Sequence, residues 1–331
     1  MKQKAFEERH QKAWQDFEML LVNLEGKRSS STTDSNSEAD FPALYRSVCH
    51  HLALARDRQY SSHLVNQLHG LVLRGHQQLY TQKLPFVSQI IRFLLSDFPS
   101  TLRREARLFW FSTALFLLPA LIMGWLCYID REMIYSVHSV MNVAEMEAMY
   151  DPENSAIGRE ERASDSDFFM FGYYIYNNIG IGFRTFASGL LYGIGTVFVL
   201  LSNGVFIGSV AGHLTQRGFT DTFWPFVSGH GAFELTAIVI CGVAGLQLAR
   251  ALYSPGRQRR INALKQASLE AVPLVIGATL MLFIAAFIEA FWSSSSTLTN
   301  ETKYGVAAIL WLLVICYFLF AGKGRGGYGS R

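Results

Sequence analysis

The spacing of hydrophobic residues changes about one third of the way along the chain. In the first hundred residues, apolar side chains recur every three or four positions among polar ones, which is the pattern of amphipathic helices. The clearest examples are Trp14, Phe17, Leu21 and Leu24, followed by Leu64, Leu68, Leu71 and Val72. Because each apolar stripe needs another helix to cover it, we predict a small antiparallel helical bundle within residues 1–102.

Two further segments belong to this predicted first domain. Residues 29–40 are rich in Ser, Thr, Asn and Asp, which favour loops, and Asp40 before Phe41-Pro42 predicts a capped helix start. The segment Phe86–Leu102 is amphipathic and directly precedes a long apolar run. It therefore predicts a helix that lies on the membrane surface.

Beyond residue 102 the chain contains six apolar runs, which predict transmembrane helices. They are Leu108–Tyr128, Phe186–Ser202, Val205–His213, Phe233–Leu252, Ala271–Trp292 and Val306–Phe320. A helix over the first run would be about 31 Å long, whereas the third would cover only about 14 Å. The third run either crosses the membrane or is a re-entrant half-span that turns back around Asn203-Gly204. We predict an all-α, polytopic membrane protein with about six spans in residues 103–331 and a cytosolic helical bundle before them.

The charges between the runs predict an orientation. Basic residues are concentrated before the first run, between the fourth and fifth, and after the sixth, whereas the segment of about 129–171 has an acidic excess. Under the positive-inside rule, both termini are cytoplasmic and residues 129–171 form an extracytoplasmic loop. The opening residues Met1–Arg9 lead into no short apolar core, so we expect no signal peptide.

Composition narrows the function classes. Half of the residues are hydrophobic and only 17% are charged, against about 25% in soluble domains. The net charge of +3 is small and its basic residues lie beside apolar runs, so we expect a lipid bilayer and no nucleic acid as partner. The four cysteines are scattered and predict reduced, packed thiols.

A titratable pair at the start of the fourth run is the main functional candidate. His230 and Glu234 are four residues apart, on one face of a helix that enters the membrane. A carboxylate there costs on the order of 3 kcal/mol, so it usually has a partner or a use. With Arg184, His213 and Glu289 placed at similar depth, we predict an outer polar cluster. It either serves ion or solute passage, a protonation switch or partner docking, or is a buried salt bridge of Arg184 with Glu234 or Glu289 beside a histidine that caps a helix start.

The sequence contains metal-ligand residue types but no recognised metal or enzyme motif. His213, His230 and Glu234 have suitable ligand types for zinc, but the chain has no His-Glu-x-x-His motif. Glycine-rich phosphate loops and Gly-x-Ser-x-Gly are likewise missing from the sequence. We expect no catalytic residues, no cofactor and no metal, and a membrane metalloenzyme is the third-ranked alternative.

Glycines at helical spacing predict close helix packing. Gly204, Gly208 and Gly212 follow one another at four-residue intervals, and Gly189 and Gly193 do so in the preceding run. Such positions let helix backbones approach closely in a membrane. We interpret them as packing positions between these two runs within one chain, although a subunit interface in a homo-oligomer stays open.

The membrane part of the chain contains an ordered set of short motifs. The motifs are Phe98-Pro99-x-x-x-Arg103, Asn177-Asn178-Ile179, Gly189–Thr196, Asn203-Gly204 with Gly208, His230-Gly231-Ala232-Phe233-Glu234-Leu235-Thr236-Ala237, and Gly242–Gly245. This set resembles the stage II sporulation protein M family. The resemblance covers the chain from about Leu64 onward. It implies an all-helical protein of the bacterial inner membrane, and it marks Asn177, Asn178, Asn203, His230, Gly231 and Glu234 as motif positions without assigning catalytic roles.

These observations lead to two expectations of function. The first is a non-catalytic scaffold or assembly factor of the bacterial cell envelope, whose partners, by the resemblance, would include peptidoglycan-remodelling proteins. The second is a channel or transporter that uses the polar cluster. A transporter needs a wet cavity and broken helices, whereas a scaffold can pack dry.

Overall fold

The computed structural model describes residues 2–26, 41–81, 86–153, 164–295 and 297–323. These residues form helices and turns without a strand, as an all-α fold requires. The helices are α1 (Gln3–Gly26), α2 (Phe41–Asp57), α3 (Ser62–Thr81), α4 (Phe86–Arg92), α5 (Phe98–Arg104), α6 (Ala106–Ile129), α7 (Val140–Tyr150), α8 (Ser164–Ala187), α9 (Ile194–Gln216), α10 (Thr220–Tyr253), α11 (Arg260–Phe287) and α12 (Asn300–Phe320). Short π-helical segments, Phe93–Asp97 and Ile288–Ser293, follow α4 and α11. The chain divides into two compact units, Met1–Gln89 and Ile90–Arg331, called here the N-terminal unit and the membrane unit.

The N-terminal unit is built from α1, α2 and α3 around one apolar core. The predicted stripe of Trp14, Phe17 and Leu21 is buried against residues of α2 and α3, including Val48 and Leu68. The period of the apolar residues is therefore the reason that these helices pack together. The predicted connector at 29–40, with Asp40, lies outside the described residues.

The membrane unit contains five helices among its described residues that are long and apolar enough to cross a membrane, α6, α9, α10, α12 and α11 with its π-helical extension. Helix α10 lies at the centre, with nearly every side chain from Ala237 to Ala249 buried. Helix α8 packs against α10 and α11 but is richer in polar residues than the other five. The unit is thus a bundle with α10 as its core.

The predicted limits of the second and third runs are wrong. Helix α9 is continuous from Ile194 to Gln216, so there is no turn at Asn203-Gly204 and no half-span. The chain turns earlier, where Tyr192 and Gly193 have φ angles of 51° and 77°. Asn203 fits inside α9 because its side-chain amide donates to the Val199 carbonyl at 2.8 Å. The polar side chain of Asn203 is thus hydrogen-bonded within the helix, so an asparagine here does not interrupt it.

The glycine series of α9 packs against α6. Gly204, Gly208 and Gly212 lie on the backbones of Phe116, Ala120 and Gly124, respectively. Because residue numbers rise together in both helices, α6 and α9 run parallel. Gly189 instead lies on the backbone of α10 at Gly245. Close packing within one chain is therefore observed, but its partners are α6 and α10 and not the two runs predicted to pair.

The segment before α6 enters the membrane unit. Phe98 and Leu102 are buried in its main core, and Phe98 lies against Gly277 of α11. Arg103 donates to the carbonyl oxygens of Phe318 and Ala321 at 2.8 Å and 2.6 Å. These bonds satisfy the last carbonyls of α12, which a helix end leaves without partners.

Candidate functional site

Three titratable side chains predicted to be functional meet inside the membrane unit. His230 and Glu234 project from α10, and Glu289 from the π-helical segment that follows α11. One ligand atom of each lies within 4.8 Å of those of the other two. The distance from His230 Nε2 to Glu234 Oε2 is 3.8 Å. We call these three residues the His–Glu cluster.

Local backbone features bring the two elements together. Gly229, directly before His230, faces the ring of Trp292, where a Cβ atom would lie 2.7 Å from Trp292 Cζ3. Absence of a side chain at Gly229 therefore allows α10 to approach the π-helical segment. The π-helical segment that follows α11 carries both Glu289 and Ser293.

The cluster is buried and only partly hydrogen-bonded. His230 and Glu289 are 6% and 9% exposed. His230 Nδ1 lies 3.2 Å from Ser293 Oγ, and the buried Lys303 donates from Nζ to the Ser293 carbonyl oxygen at 2.9 Å. Asn178 of α8 lies beside Glu289 but without the geometry of a full hydrogen bond, so Asn178 Nδ2 and Glu289 Oε2 are both unpaired.

One aromatic side chain packs beside the cluster, on the same Phe226 whose ring contacts His230. Tyr150, at the end of α7, packs edge-to-face on Phe223 and Phe226 of α10. Burial raises the pKa of the Tyr150 phenol, with smaller contributions from Tyr174, Glu289 and Glu234. The cluster therefore lies near the end of the bundle where residues 130–153 pack.

Two residues predicted to belong to the outer polar cluster, His213 and Arg184, lie outside the His–Glu cluster. His213 of α9 contacts Glu147 of α7, with 2.8 Å between Nε2 and Oε1. Arg184 is exposed near the end of α8, where its Nε donates to the Gly180 carbonyl at 3.2 Å. The neighbouring Gly189 touches Gly245, which follows His230 by fifteen residues, or about 22 Å along α10.

The prediction for Arg184 is wrong for a definite reason. The apolar run predicted to begin at Phe186 would place Arg184 at its outer end, whereas α8 ends at Ala187 and Arg184 lies in its last turn. The proposed salt bridge of Arg184 with Glu234 or Glu289 is not formed. Arg184 is thus at the opposite end of the bundle from the His–Glu cluster.

The remaining motif positions have mixed surroundings. Asn178 is buried and accepts a hydrogen bond from Asn177 Nδ2 at 3.0 Å. Asn203 is bonded within α9, and a Cβ atom at Gly231 would meet only Leu235 at 3.9 Å. Of these, Asn178 alone borders the His–Glu cluster.

Sequence reasoning missed the contributions of Ser293, Lys303 and Tyr150. A lysine three residues before the apolar run Val306–Phe320 is a usable signal, because a cation so near a membrane span usually has a partner. Ser293 lies in a row of four serines that resembles an ordinary loop. Nothing in the local sequence distinguishes it.

Chemically, the arrangement can hold positive charge. Two carboxyl groups and an imidazole lie together in a region of low dielectric constant, where ionised carboxylates are costly without compensation. Among the described residues, neither Glu234 nor Glu289 forms a salt bridge with a lysine or arginine. A proton or a bound cation would supply the compensating charge.

Comparisons with known proteins agree with the motif resemblance. The family model described as Stage II sporulation protein M matches residues 112–294, more than half of the chain. Residues 4–81 match a domain of unknown function, DUF8413. The chain is also 24% identical to the uncharacterized protein MJ0793 of Methanocaldococcus jannaschii over 125 residues, which are 37% of this chain and 70% of that protein. No solved structure matches. The matched region contains the whole His–Glu cluster, and the chain belongs to the stage II sporulation protein M family.

Proposed function

We propose that this protein is a non-catalytic scaffold or assembly factor of the cell envelope, which presents residues 130–153 as a preformed docking surface. The supporting observation is that several polar contacts join this segment to α9, to the residue after it and to α10. Glu147 contacts both His213 and Arg217, His138 Nε2 lies 2.9 Å from Ser209 Oγ, and the Tyr150 carbonyl accepts from Thr222. A surface ordered before binding loses less entropy when a partner docks.

The exposed side chains of this segment suit a protein partner. Val140 and Met141 are 71% and 72% exposed, and Tyr135 and Met149 are more than two-fifths exposed. They lie outside the apolar spans, where contact with lipid does not account for them, and exposed apolar groups outside a membrane often mark interaction sites. From the family resemblance, we expect the partner to be an envelope protein such as a peptidoglycan-remodelling factor.

This role includes a specific topology, with six crossings by α6, α8, α9, α10, α11 and α12 and with both termini in the cytoplasm. The Arg250 guanidinium donates to both Glu105 oxygens at 2.9 Å and 2.7 Å, so the start of α6 and the end of α10 share one face. Counting α8 as a crossing makes the alternation regular. The basic residues then collect on one side, as the positive-inside rule requires.

Affinity capture from native membranes tests the scaffold. The full-length protein, stabilised by a reversible crosslinker, is compared with a Val140→Ser, Met141→Ser double variant and with Val87→Ser, an exposed apolar change in α4. We expect a defined envelope protein to be recovered with wild type and Val87→Ser but lost from the double variant. Recovery of the same proteins with all three would contradict docking at this segment.

A second function, ion or solute passage, is favoured by one observation, the buried carboxyl groups of the His–Glu cluster without a cationic partner. Flux into vesicles that contain purified protein tests it. Passage through the cluster should fall in Glu234→Gln and persist in Glu147→Gln. Flux that equals that of empty vesicles would reject passage and leave the scaffold unaffected.

A further inference from the structure

We propose that the His–Glu cluster is a binding site for a divalent transition-metal ion, with zinc the best match, which links α10 to the π-helical segment after α11. This inference concerns a ligand of the membrane unit and does not depend on the scaffold role. The sequence alone indicated no metal because it lacks a local zinc motif. The structure adds Glu289, which is separated from His230 by 59 positions in the chain but is adjacent in space.

The three side chains have the required proximity. Their ligand atoms lie within 4.8 Å of one another. Around a tetrahedral zinc ion with bonds of about 2.0–2.2 Å, neighbouring ligand atoms are about 3.3–3.6 Å apart. The present separation of up to 4.8 Å exceeds the tetrahedral value by about 1 Å. Rotation about the side-chain bonds of the two glutamates can move their carboxylate oxygens by this amount while the helix backbones stay in place.

The histidine is oriented as metal-binding histidines usually are. Its Nδ1 lies 3.2 Å from Ser293 Oγ, and its Nε2 is directed toward Glu234. A hydrogen bond at one ring nitrogen fixes the ring and presents the other nitrogen to the metal. Lys303 in turn donates to the Ser293 carbonyl, which holds the π-helical segment that carries both Ser293 and Glu289.

An unpaired buried oxygen is the independent sign of a missing ligand. Glu289 is 9% exposed, and its Oε2 has no hydrogen-bond partner among the described residues. Buried polar atoms are nearly always satisfied, so such an atom next to a histidine and a second carboxylate is explained by a cation between them.

The ligand set selects the class of metal. Two carboxylates give a divalent ion full charge compensation, and one imidazole nitrogen favours zinc and its neighbours over magnesium or calcium, which prefer oxygen alone. Three protein ligands leave a coordination position for water, as in open zinc sites. The expected species is therefore one zinc ion per chain with a bound water molecule.

The test measures metal directly. Full-length protein is purified in detergent without chelators, its metal content is determined by mass spectrometry, and the stripped protein is titrated with Zn²⁺ and Co²⁺. Wild type should hold about one zinc per chain, and Co²⁺ should give the visible absorption of a low-coordinate site. Magnesium or calcium at millimolar excess should not displace zinc.

Five variants, two of them controls, assign the site. Glu289→Gln and His230→Gln should lose stoichiometric zinc, and Ser293→Ala should bind it about tenfold more weakly because the ring is no longer held. Glu147→Gln, which alters the histidine–carboxylate contact between α9 and α7, should bind like wild type. Ser294→Ala, a buried neighbour bonded only within its own turn, is the matched control for Ser293.

The metal content and the affinities of the variants can either support or overturn the zinc site. Stoichiometric zinc in wild type together with weaker binding in Ser293→Ala but not in Ser294→Ala supports the site, even where Glu289→Gln does not elute as a single folded species. Wild type that takes up less than about a tenth of an equivalent of zinc after loading, or Glu289→Gln with unchanged affinity, overturns it.

Discussion

The contact of His213 with Glu147 joins α9 to α7 within the membrane unit. Nε2 of His213, in α9, lies 2.8 Å from Oε1 of Glu147, in α7, and Arg217 Nε approaches the same oxygen at 3.1 Å. One carboxylate therefore connects His213, in the last turn of α9, and Arg217, which directly follows α9, to an element outside the apolar spans. This arrangement makes α7 part of the folded unit rather than a free loop.

Glu147→Gln should loosen α7 without unfolding the bundle. Hydrogen bonds to charged groups contribute about 1.5–3 kcal/mol, so loss of the charge should speed amide exchange in Val140–Tyr150 by at least about tenfold. Hydrogen–deuterium exchange of the protein in detergent measures this. Glu145→Gln, at an exposed position of the same helix, is the control. Equal exchange in both variants would show that the contact does not hold α7.

The glycine contacts between α6 and α9 lead to a second prediction. A Cβ atom on Gly208 would overlap the backbone of Ala120, whereas one on Gly305 in α12 would meet nothing within 4 Å. Gly208→Ala should therefore lower the free energy of unfolding by about 1–3 kcal/mol. Gly305→Ala should be neutral or slightly stabilising, since alanine is the better helix former.

Unfolding of the two glycine variants by titration with SDS in mixed micelles measures the difference. A Gly208→Ala protein as stable as Gly305→Ala would mean that α6 and α9 are farther apart than described.

Features that depend on residues close together in the sequence were predicted correctly, whereas features that depend on contacts made in the fold were not. The stripe of Trp14, Phe17 and Leu21 was predictable because periodicity alone decides which face of a helix is buried. The turn at Tyr192–Gly193 was missed because Asn203-Gly204 is the stronger turn signal in sequence, and bonding of Asn203 to Val199 cannot be read from composition. That one boundary error also misplaced Arg184.

In the candidate site, too, only the relations set by helical spacing could be predicted from sequence. His230 and Glu234 are related by helical spacing and could be paired from sequence, and Glu289, expected at a similar depth, lies beside them. The position of Ser293 against His230 depends on the π-helical turn and on the contact of Gly229 with Trp292. These tertiary contacts have no signature in a single sequence.

The N-terminal unit should be destabilised by mild acid through His51. This buried side chain accepts a hydrogen bond from Trp14 Nε1 at 3.1 Å, and its ring lies 4.0 Å from that of His10. Burial, followed by the charges of His10 and His50, lowers the pKa of His51 to about 4. Burial also lowers the pKa of His10.

Protonation of His51 is linked to unfolding, because the folded and unfolded chains bind its proton with different affinity. Between the unfolded pKa of 6.5 and the folded pKa of about 4, the unfolded chain binds the proton and the folded chain does not, so stability falls as the pH decreases through this window. The slope for His51 is at most about 1.4 kcal/mol per pH unit. No loss from this group is expected above pH 7.

Thermal unfolding of the full-length protein between pH 7 and pH 4.5, followed at peptides of α1–α3 by limited proteolysis, measures this dependence. His51→Gln should flatten the curve, because glutamine can accept from Trp14 and does not titrate. His63→Gln, at an exposed position of α3, should retain the wild-type slope. A wild-type slope in His51→Gln would assign the acid sensitivity to another group.

The pair Glu105 and Arg250 should show coupling across the start of α6 and the end of α10. Desolvation alone would raise the pKa of Glu105, but hydrogen bonds from Arg250 and Gln247 outweigh it, so this pKa lies below its usual value of 4.5. The pair therefore stabilises the fold at neutral pH, and its contribution declines only as the pH falls below about 4.5.

Because Arg250 is 53% exposed, solvent screens the pair, and we expect a coupling energy of about 1 kcal/mol despite the two-bond geometry. A double-mutant cycle with Glu105→Gln, Arg250→Gln and the combined variant measures it from unfolding at pH 7. The same cycle with Arg257→Gln, an exposed arginine of the following loop, should be additive. Additivity for Arg250 as well would mean that the two helix ends are not joined, and would remove the contact on which the shared face of α6 and α10 is based.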